Sequence, residues 1–298
     1  MNRSEYAGTW TAIITPFKED GSLDEVTLRG LVRRQIDGGV TGIVPVGTTG
    51  ESPTTTMEED RKIFEIVVDE AAGRIKVMAG TGSNSTADAV KYTKNAKEAG
   101  CDCCLVVTPY YNKPTPAGLI KHFEAVCELG LPVVVYNIKG RTGLNIETDT
   151  LMEIAKNETV VAVKEASGDM NQMKEVISRR SETAAGDDFA VLSGDDGLTV
   201  ELIKNGGDGV ISVASNIVPD EVSEMVTYAL QGNFEEAEKM NQHLAEMFDK
   251  LFIETNPIPA KYVASKMGLC GLNFRLPMCE PSASARGELD QMINNYNL

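Results

Sequence analysis

Apolar and polar positions alternate along the chain in a regular long-range rhythm. Short β-branched, apolar runs are followed by stretches in which apolar residues recur every three or four positions. The runs Thr9–Thr15, Gly42–Val46, Ile75–Ala79, Cys103–Thr108, Pro132–Tyr136, Val160–Lys164, Phe189–Ser193 and Gly209–Val213 read as strands. They are apolar on both faces, as strands of a buried parallel sheet are. Between and after them, helical spacing runs over Asp24–Asp37, Glu58–Ala72, Ala87–Ala99, Pro116–Leu129, Glu147–Lys156, Asn171–Ser178, Gly197–Lys204 and Pro219–Leu230. Eight strand–helix units in succession predict a (β/α)8 barrel. A doubly wound open sheet is the competing architecture, but Gly80-Thr81-Gly82-Ser83-Asn84-Ser85 lacks the third glycine of a dinucleotide fingerprint. After Leu230 the strand signals stop. Phe234–Phe252, Pro257–Met267 and Ala285–Tyr296 read as helices, so the expected division is a catalytic barrel over 1–230 and a helical module over 231–298.

Composition narrows the partners. In a chain of 298 residues, 28 Lys and Arg stand against 44 Asp and Glu, a net charge of −16. That field repels phosphate backbones and anionic membrane surfaces, which disfavours both as partners. Any site for an anionic substrate must be built locally. No apolar run approaches the ~20 residues of a membrane span, and Met1-Asn2-Arg3-Ser4-Glu5-Tyr6 leads into polar sequence without the apolar region of a secretion signal. A cytoplasmic protein with free thiols at Cys101, Cys103, Cys104, Cys127, Cys270 and Cys279 is expected. Cys101-x-Cys103-Cys104 lacks a second ligand pair at zinc spacing and lies in an apolar run, so it reads as core.

A barrel carries its chemistry at the carboxyl ends of its strands. Those ends hold Gly47-Thr48-Thr49-Gly50-Glu51, Thr108-Pro109-Tyr110-Tyr111-Asn112, Tyr136-Asn137 with Arg141-Thr142-Gly143, Lys164-Glu165, Ser193-Gly194-Asp195-Asp196, and Ile211-Ser212. Lys164 ends the apolar run Val160-Val161-Ala162-Val163. Desolvation there penalises the ammonium and lowers its pKa, and a neutral amine attacks carbonyl carbon. An ion pair at the barrel rim would explain the same position. Tyr136 ends the neighbouring strand and could move protons at that amine, or merely cap the core. Thr48 and Thr49, between glycines, offer hydroxyls and N–H groups to a carboxylate; Arg141 offers a bidentate fork. The two histidines, His122 and His243, fall in predicted helices, which disfavours a zinc aldolase or a Ser-His-Asp triad. Glu51, Glu165 and Asp195 keep a carboxylate-pair glycosidase open on counting alone, although a single Trp, at position 10, argues against a sugar-stacking cleft.

Taken together and in order, the motifs Gly47–Ser52, Thr108–Pro114, Tyr136-Asn137 with Arg141–Gly143, Val163–Ala166 and Ser193–Asp196 resemble the dihydrodipicolinate synthase branch of the N-acetylneuraminate lyase superfamily. The resemblance runs over nearly the whole chain. It implies a lyase in which Lys164 condenses with pyruvate and Tyr136, Thr48 and Tyr111 pass protons, Tyr111 from a neighbouring subunit. It implies Thr49 at the pyruvate carboxylate, Arg141 at the carboxylate of aspartate semialdehyde, and Gly194 and Ile211 lining the pocket. It further implies a homotetramer built as a dimer of dimers, with neither metal nor organic cofactor. A lyase for sialic or 2-keto-3-deoxy sugar acids is the alternative within the superfamily, and a barrel that binds 2-oxo acids without turnover is the alternative outside catalysis. Ser52, Asn84, Asp88 and Tyr110 match an allosteric lysine cleft, but Met57 and Asp60 depart from its sensitive form. Where the family has proline after Tyr-Asn-x, this chain has Lys139-Gly140 after Ile138, which is expected to loosen the segment carrying Arg141 and to add a cation.

Overall fold

The computed structural model describes residues 2–298. Eight parallel strands close into a barrel in chain order: β1 Gly8–Ala12, β2 Gly42–Val44, β3 Lys76–Gly80, β4 Cys103–Val107, β5 Val133–Asn137, β6 Val160–Glu165, β7 Ala190–Ser193 and β8 Gly209–Ser212. Around them lie α1 Glu25–Asp37, α2 Met57–Ala71, α3 Thr86–Glu98, α4 Pro116–Cys127, α5 Lys139–Thr142, α6 Thr148–Ile154, α7 Met170–Ser178, α8 Thr199–Lys204 and α9 Pro219–Leu230. The chain ends in α10 Phe234–Lys250, α11 Ile258–Lys266 and α12 Ala283–Tyr296. This is the expected (β/α)8 architecture. No helix among the described residues is long and apolar enough to cross a membrane.

Local chemistry sets the helix starts. Thr56 and Glu59 form a reciprocal capping box on α2, Ser85 caps α3, and Pro219 opens α9. Strand ends differ from the periodicity where the backbone changes partner. The apolar run that began at Thr9 leaves the ladder after Ala12, because the N–H of Ile14 turns to the Asn216 side chain at 3.1 Å. The run from Gly42 leaves it after Val44, just before Val46 adopts φ +55°.

Side chains sort by parity into two apolar layers. Trp10, Val44, Met78, Cys103, Leu105, Val134, Tyr136, Ala162, Leu192 and Ile211 fill the barrel. Cys104, Val106, Val133, Val135 and Val163 pack outward against the helices. The two adjacent cysteines of β4 therefore sit on opposite faces of one strand. In β6 the alternation is interrupted: Val133 pairs with Val160 but Val134 pairs with Ala162, leaving Val161 as an extra residue. Beyond this bulge Tyr136 lies opposite Lys164, and Asn137 opposite Glu165. Leu244, Met247 and Leu251 of the segment around α10, Val263 of α11, and Leu289 and Met292 of α12 join the same outer layer as the barrel helices.

Candidate active site

The carboxyl end of the barrel opens into a cavity of about 340 Å³, lined among others by Thr48, Ser52, Asp60, Tyr92, Tyr110 and Arg141. A smaller recess beside it reaches Tyr136. Lys164 lies within the barrel mouth and is 6% exposed. Its Nζ sits 4.2 Å from the centre of the Tyr136 ring. Burial pushes the Lys164 ammonium down to about 7; the Asp196 carboxylate opposes that fall and Arg141 adds to it. A substantial fraction of neutral amine at neutral pH follows. Burial drives the Tyr136 phenol the other way, up to about 12, against Arg141 and a hydrogen bond with Thr48. An acid that holds its proton thus stands beside an amine that is partly deprotonated at neutral pH.

Space beside the amine depends on Gly194. A Cβ there would lie 2.5 Å from Ala166 Cβ and 3.0 Å from Lys164 Cε. Ile211 is buried in the barrel layer. Asp196 follows in the same turn, buried, its Oδ2 accepting from the N–H groups of Val213 and Ala214 at 3.0 and 3.1 Å.

The Gly47–Glu51 turn is bounded by Val46 at φ +55° and Glu51 at φ +57°, a conformation costly for β-branched and ordinary residues and often stored at functional sites. It is pinned by Gly50 N–H to Gly47 C=O at 3.0 Å and by the Thr15 hydroxyl to Gly50 C=O at 2.7 Å. Among the described residues, no acceptor takes the N–H groups of Thr48 and Thr49. Two free donors and two hydroxyls in one turn are groups of the kind that can receive a carboxylate.

Arg141 does not ride on a loosened loop. Lys139–Thr142 forms one helical turn, ended by Gly143 at φ +71°. The Thr142 hydroxyl has the carbonyls of Ile138 and Leu144 within reach of its one proton, at 3.0 and 2.8 Å, and accepts from the Leu144 N–H at 3.2 Å; Arg141 Nη2 donates to the Asn256 carbonyl at 3.0 Å. Against the expected loosening, Lys139-Gly140 enters a helical turn that is held by hydrogen bonds. The added cation, Lys139, is exposed.

The other expected residues divide between the cavity and its surroundings. Tyr111 is 90% exposed, at φ +73°, and does not line the cavity that Thr48 lines or the recess that reaches Tyr136. Ser52 and Tyr110 line the cavity. Asn84 accepts from Asn112 through its carbonyl at 2.8 Å, and Asp88 pairs with Lys91 at 3.2 Å. Asp60 is buried, its Oδ1 lacks a partner, and burial lifts its carboxyl to about 7. Of the strand-end carboxylates, Glu165 lies on the outer face, held by Asn137 and the Ser167 N–H. Glu51 pairs with Lys261, both fully buried. Asp195 is exposed. A facing carboxylate pair in the mouth is thus not what the barrel presents.

Two residues that strand-end reasoning missed, Asn256 and Lys261, come from the chain beyond α10. Lys261 carried a usable signal, a lysine inside Pro259-Ala260-Lys261-Tyr262-Val263-Ala264. Asn256 carried none.

A model of the dihydrodipicolinate synthetase family matches residues 5–296. The chain is 46% identical over 295 residues to the 4-hydroxy-tetrahydrodipicolinate synthase of Aquifex aeolicus strain VF5, covering 98% of each. It is 47% identical over 288 residues to the enzyme of the same name from Protochlamydia amoebophila strain UWE25, covering 96% of this chain and 95% of that one. The crystal structure of dihydrodipicolinate synthase from Aquifex aeolicus superposes with a TM-score of 0.94 at 46% identity, covering 98% of both chains.

Proposed function

The chain belongs to the dihydrodipicolinate synthetase family, and from that premise we propose that it condenses pyruvate with L-aspartate 4-semialdehyde to 4-hydroxy-tetrahydrodipicolinate. It is a lyase of lysine and diaminopimelate biosynthesis. The observation that carries the reading is a buried lysine amine, with its pKa lowered to about 7, against the ring of Tyr136.

The Lys164 lone pair attacks the carbonyl carbon of pyruvate. Tyr136 delivers the proton with which the carbinolamine hydroxyl leaves as water, giving a protonated imine. That imine withdraws electrons, so a methyl proton is lost and an enamine forms; the scheme requires neither metal nor organic cofactor. The enamine carbon bonds to the aldehyde carbon of aspartate semialdehyde, whose oxygen takes a proton. The substrate's own amine then adds to the imine carbon, expels Lys164 and closes the ring. Thr49 and the N–H groups of the Gly47–Gly50 turn hold the pyruvate carboxylate, and Arg141 holds that of the semialdehyde. Gly194 and Ile211 shape the wall. Thr48 relays protons from Tyr136, and the exposed Tyr111 completes the relay from a neighbouring subunit of a homotetramer arranged as a dimer of dimers in the cytoplasm.

Borohydride added with pyruvate is expected to fix a pyruvyl mass on the peptide containing Lys164. The trapping rate should rise about tenfold per pH unit below 7 and level off above it, because the neutral amine is the nucleophile. A rate still climbing toward the ordinary lysine range near 10.4, or an unlabelled Lys164 in active enzyme, overturns the mechanism.

The cleft of Ser52, Asn84, Asp88 and Tyr110 is proposed as a weak lysine site. The Met57 thioether is a poor acceptor, and Asp60 is only partly ionised near pH 7. Half-inhibition by lysine is expected above millimolar concentration at pH 7. It should strengthen toward pH 8, as Asp60 ionises and becomes an ammonium partner. Sub-millimolar inhibition at pH 6.5 contradicts this.

A further inference from the structure

The Thr49 hydroxyl has one proton to give, and where that proton points decides whether Thr49 can bind an anion. Its Oγ1 accepts a hydrogen bond from Asn256 Nδ2 at 2.9 Å. Both residues are buried, Thr49 at 3% exposure and Asn256 at 5%. A hydroxyl that already accepts from one donor is left to donate in another direction. The backbone carbonyl of Asn256 meanwhile accepts from Arg141 Nη2 at 3.0 Å. One residue, from the segment between α10 and α11, thus touches two groups that stand at opposite ends of the reaction.

The same segment is anchored where it meets the turn. Lys261, in the first turns of α11, pairs with Glu51, and the N–H of Arg275 reaches the other oxygen of Glu51 at 3.4 Å. The Lys261 ammonium also lies 4.5 Å from the centre of the Phe17 ring. Asn256 is therefore held against the Gly47–Glu51 turn from outside the barrel.

We propose that Asn256 is a positioning residue for pyruvate: its side-chain N–H orients the Thr49 hydroxyl so that the Thr49 proton faces the incoming carboxylate, while its backbone carbonyl separately steadies Arg141. This rests on the reading that Thr49 receives the carboxylate of pyruvate bound to Lys164. The two links run through different atoms, so side-chain substitution cuts the first and spares the second.

Asn256→Leu keeps the branching at Cγ and removes the donor. The KM for pyruvate is expected to rise about three- to tenfold, the loss attached to one hydrogen bond. The KM for aspartate semialdehyde and kcat at saturating pyruvate should stay within twofold. A residue that merely supports the fold would disturb Arg141 as well, and both KM values would rise together. The cycle with Thr49→Val separates the cases further. In that background no hydroxyl remains to orient, so Asn256→Leu should add nothing to the pyruvate KM. If leucine is not accommodated, Asn256→Ala removes the same donor without steric demand. Parallel rises in both KM values, or additive effects in the cycle, overturn the proposal. Absence of a pyruvyl adduct on Lys164 of the unsubstituted enzyme overturns instead the reading beneath it.

Discussion

Lys164→Met is expected to leave a protein that folds more firmly than the original and turns over at least about a thousandfold more slowly. The catalytic loss follows from chemistry that no neighbour can supply. Proton transfer by positioned groups is worth ~10²–10⁴ in rate, but in the proposed mechanism Tyr136 and Thr48 act on an imine that cannot form without the amine. The gain in stability follows from linkage. The folded pKa of Lys164 is about 7, and the unfolded value is the ordinary 10.5. Between those values the unfolded chain binds more protons, so stability rises with pH across that window, and the folded state carries the full penalty below it. At ~1.4 kcal/mol per pKa unit the penalty at neutral pH is about 4–5 kcal/mol. Lys164→Met removes both the penalty and the slope between pH 7 and 10.5. Denaturant titrations at pH 7 and pH 10, beside steady-state assays, measure all of this. A variant less stable at pH 7 would show that the buried amine supports the fold, contrary to its environment.

Lys261→Met should have the largest destabilising effect of a single substitution in the helical segment. It strands the Glu51 carboxylate, 1% exposed, without its cation. Removing one partner of a buried pair costs ~3–5 kcal/mol, about 10 °C in midpoint for a chain of this class. The paired change Glu51→Gln with Lys261→Met removes both charges and should recover most of the loss, since a buried pair contributes little net stability over neutral neighbours of similar shape. Activity separates from stability here, because the Glu51 turn carries Thr48 and Thr49. The paired variant is expected to regain its melting midpoint while keeping a raised pyruvate KM. A double variant as unstable as Lys261→Met alone would place the stabilisation in the packing of the lysine stem.

Lys164, Tyr136, Arg141 and the Gly47–Gly50 turn were legible in the sequence because each follows an apolar run of strand type, and barrel geometry puts all such ends on one face. Asn256 was invisible for the complementary reason. It reaches Thr49 across 207 positions of chain, and nothing near Asn256 in sequence marks the fold that brings it there. Lys261 falls between, with a lysine in an apolar run raising the right question and no local feature naming Glu51 as its partner. The strand boundaries failed for a different reason. Ile13 and Ile14 continue the apolar pattern of β1, but hydrophobicity does not record that a backbone N–H has changed acceptor from a strand to Asn216. The turn at Lys139–Thr142 is not legible from the absent proline, because hydrogen bonds of Thr142 and Arg141, the latter to the distant Asn256, accompany it where a proline would fix the backbone angle.

The bulge at Val161 has a consequence for design. Counting strictly by twos from Val160, which faces the helices, would turn Lys164 toward the helices and deliver Glu165 into the mouth. A single surplus residue reverses that assignment and places the amine inside. A β6 straightened at constant length would present an acid where it now presents a nucleophile, with every amino acid of the strand retained. The side chain this barrel presents at the end of β6 is therefore set less by which residues end the strand than by whether a bulge interrupts the alternation before them.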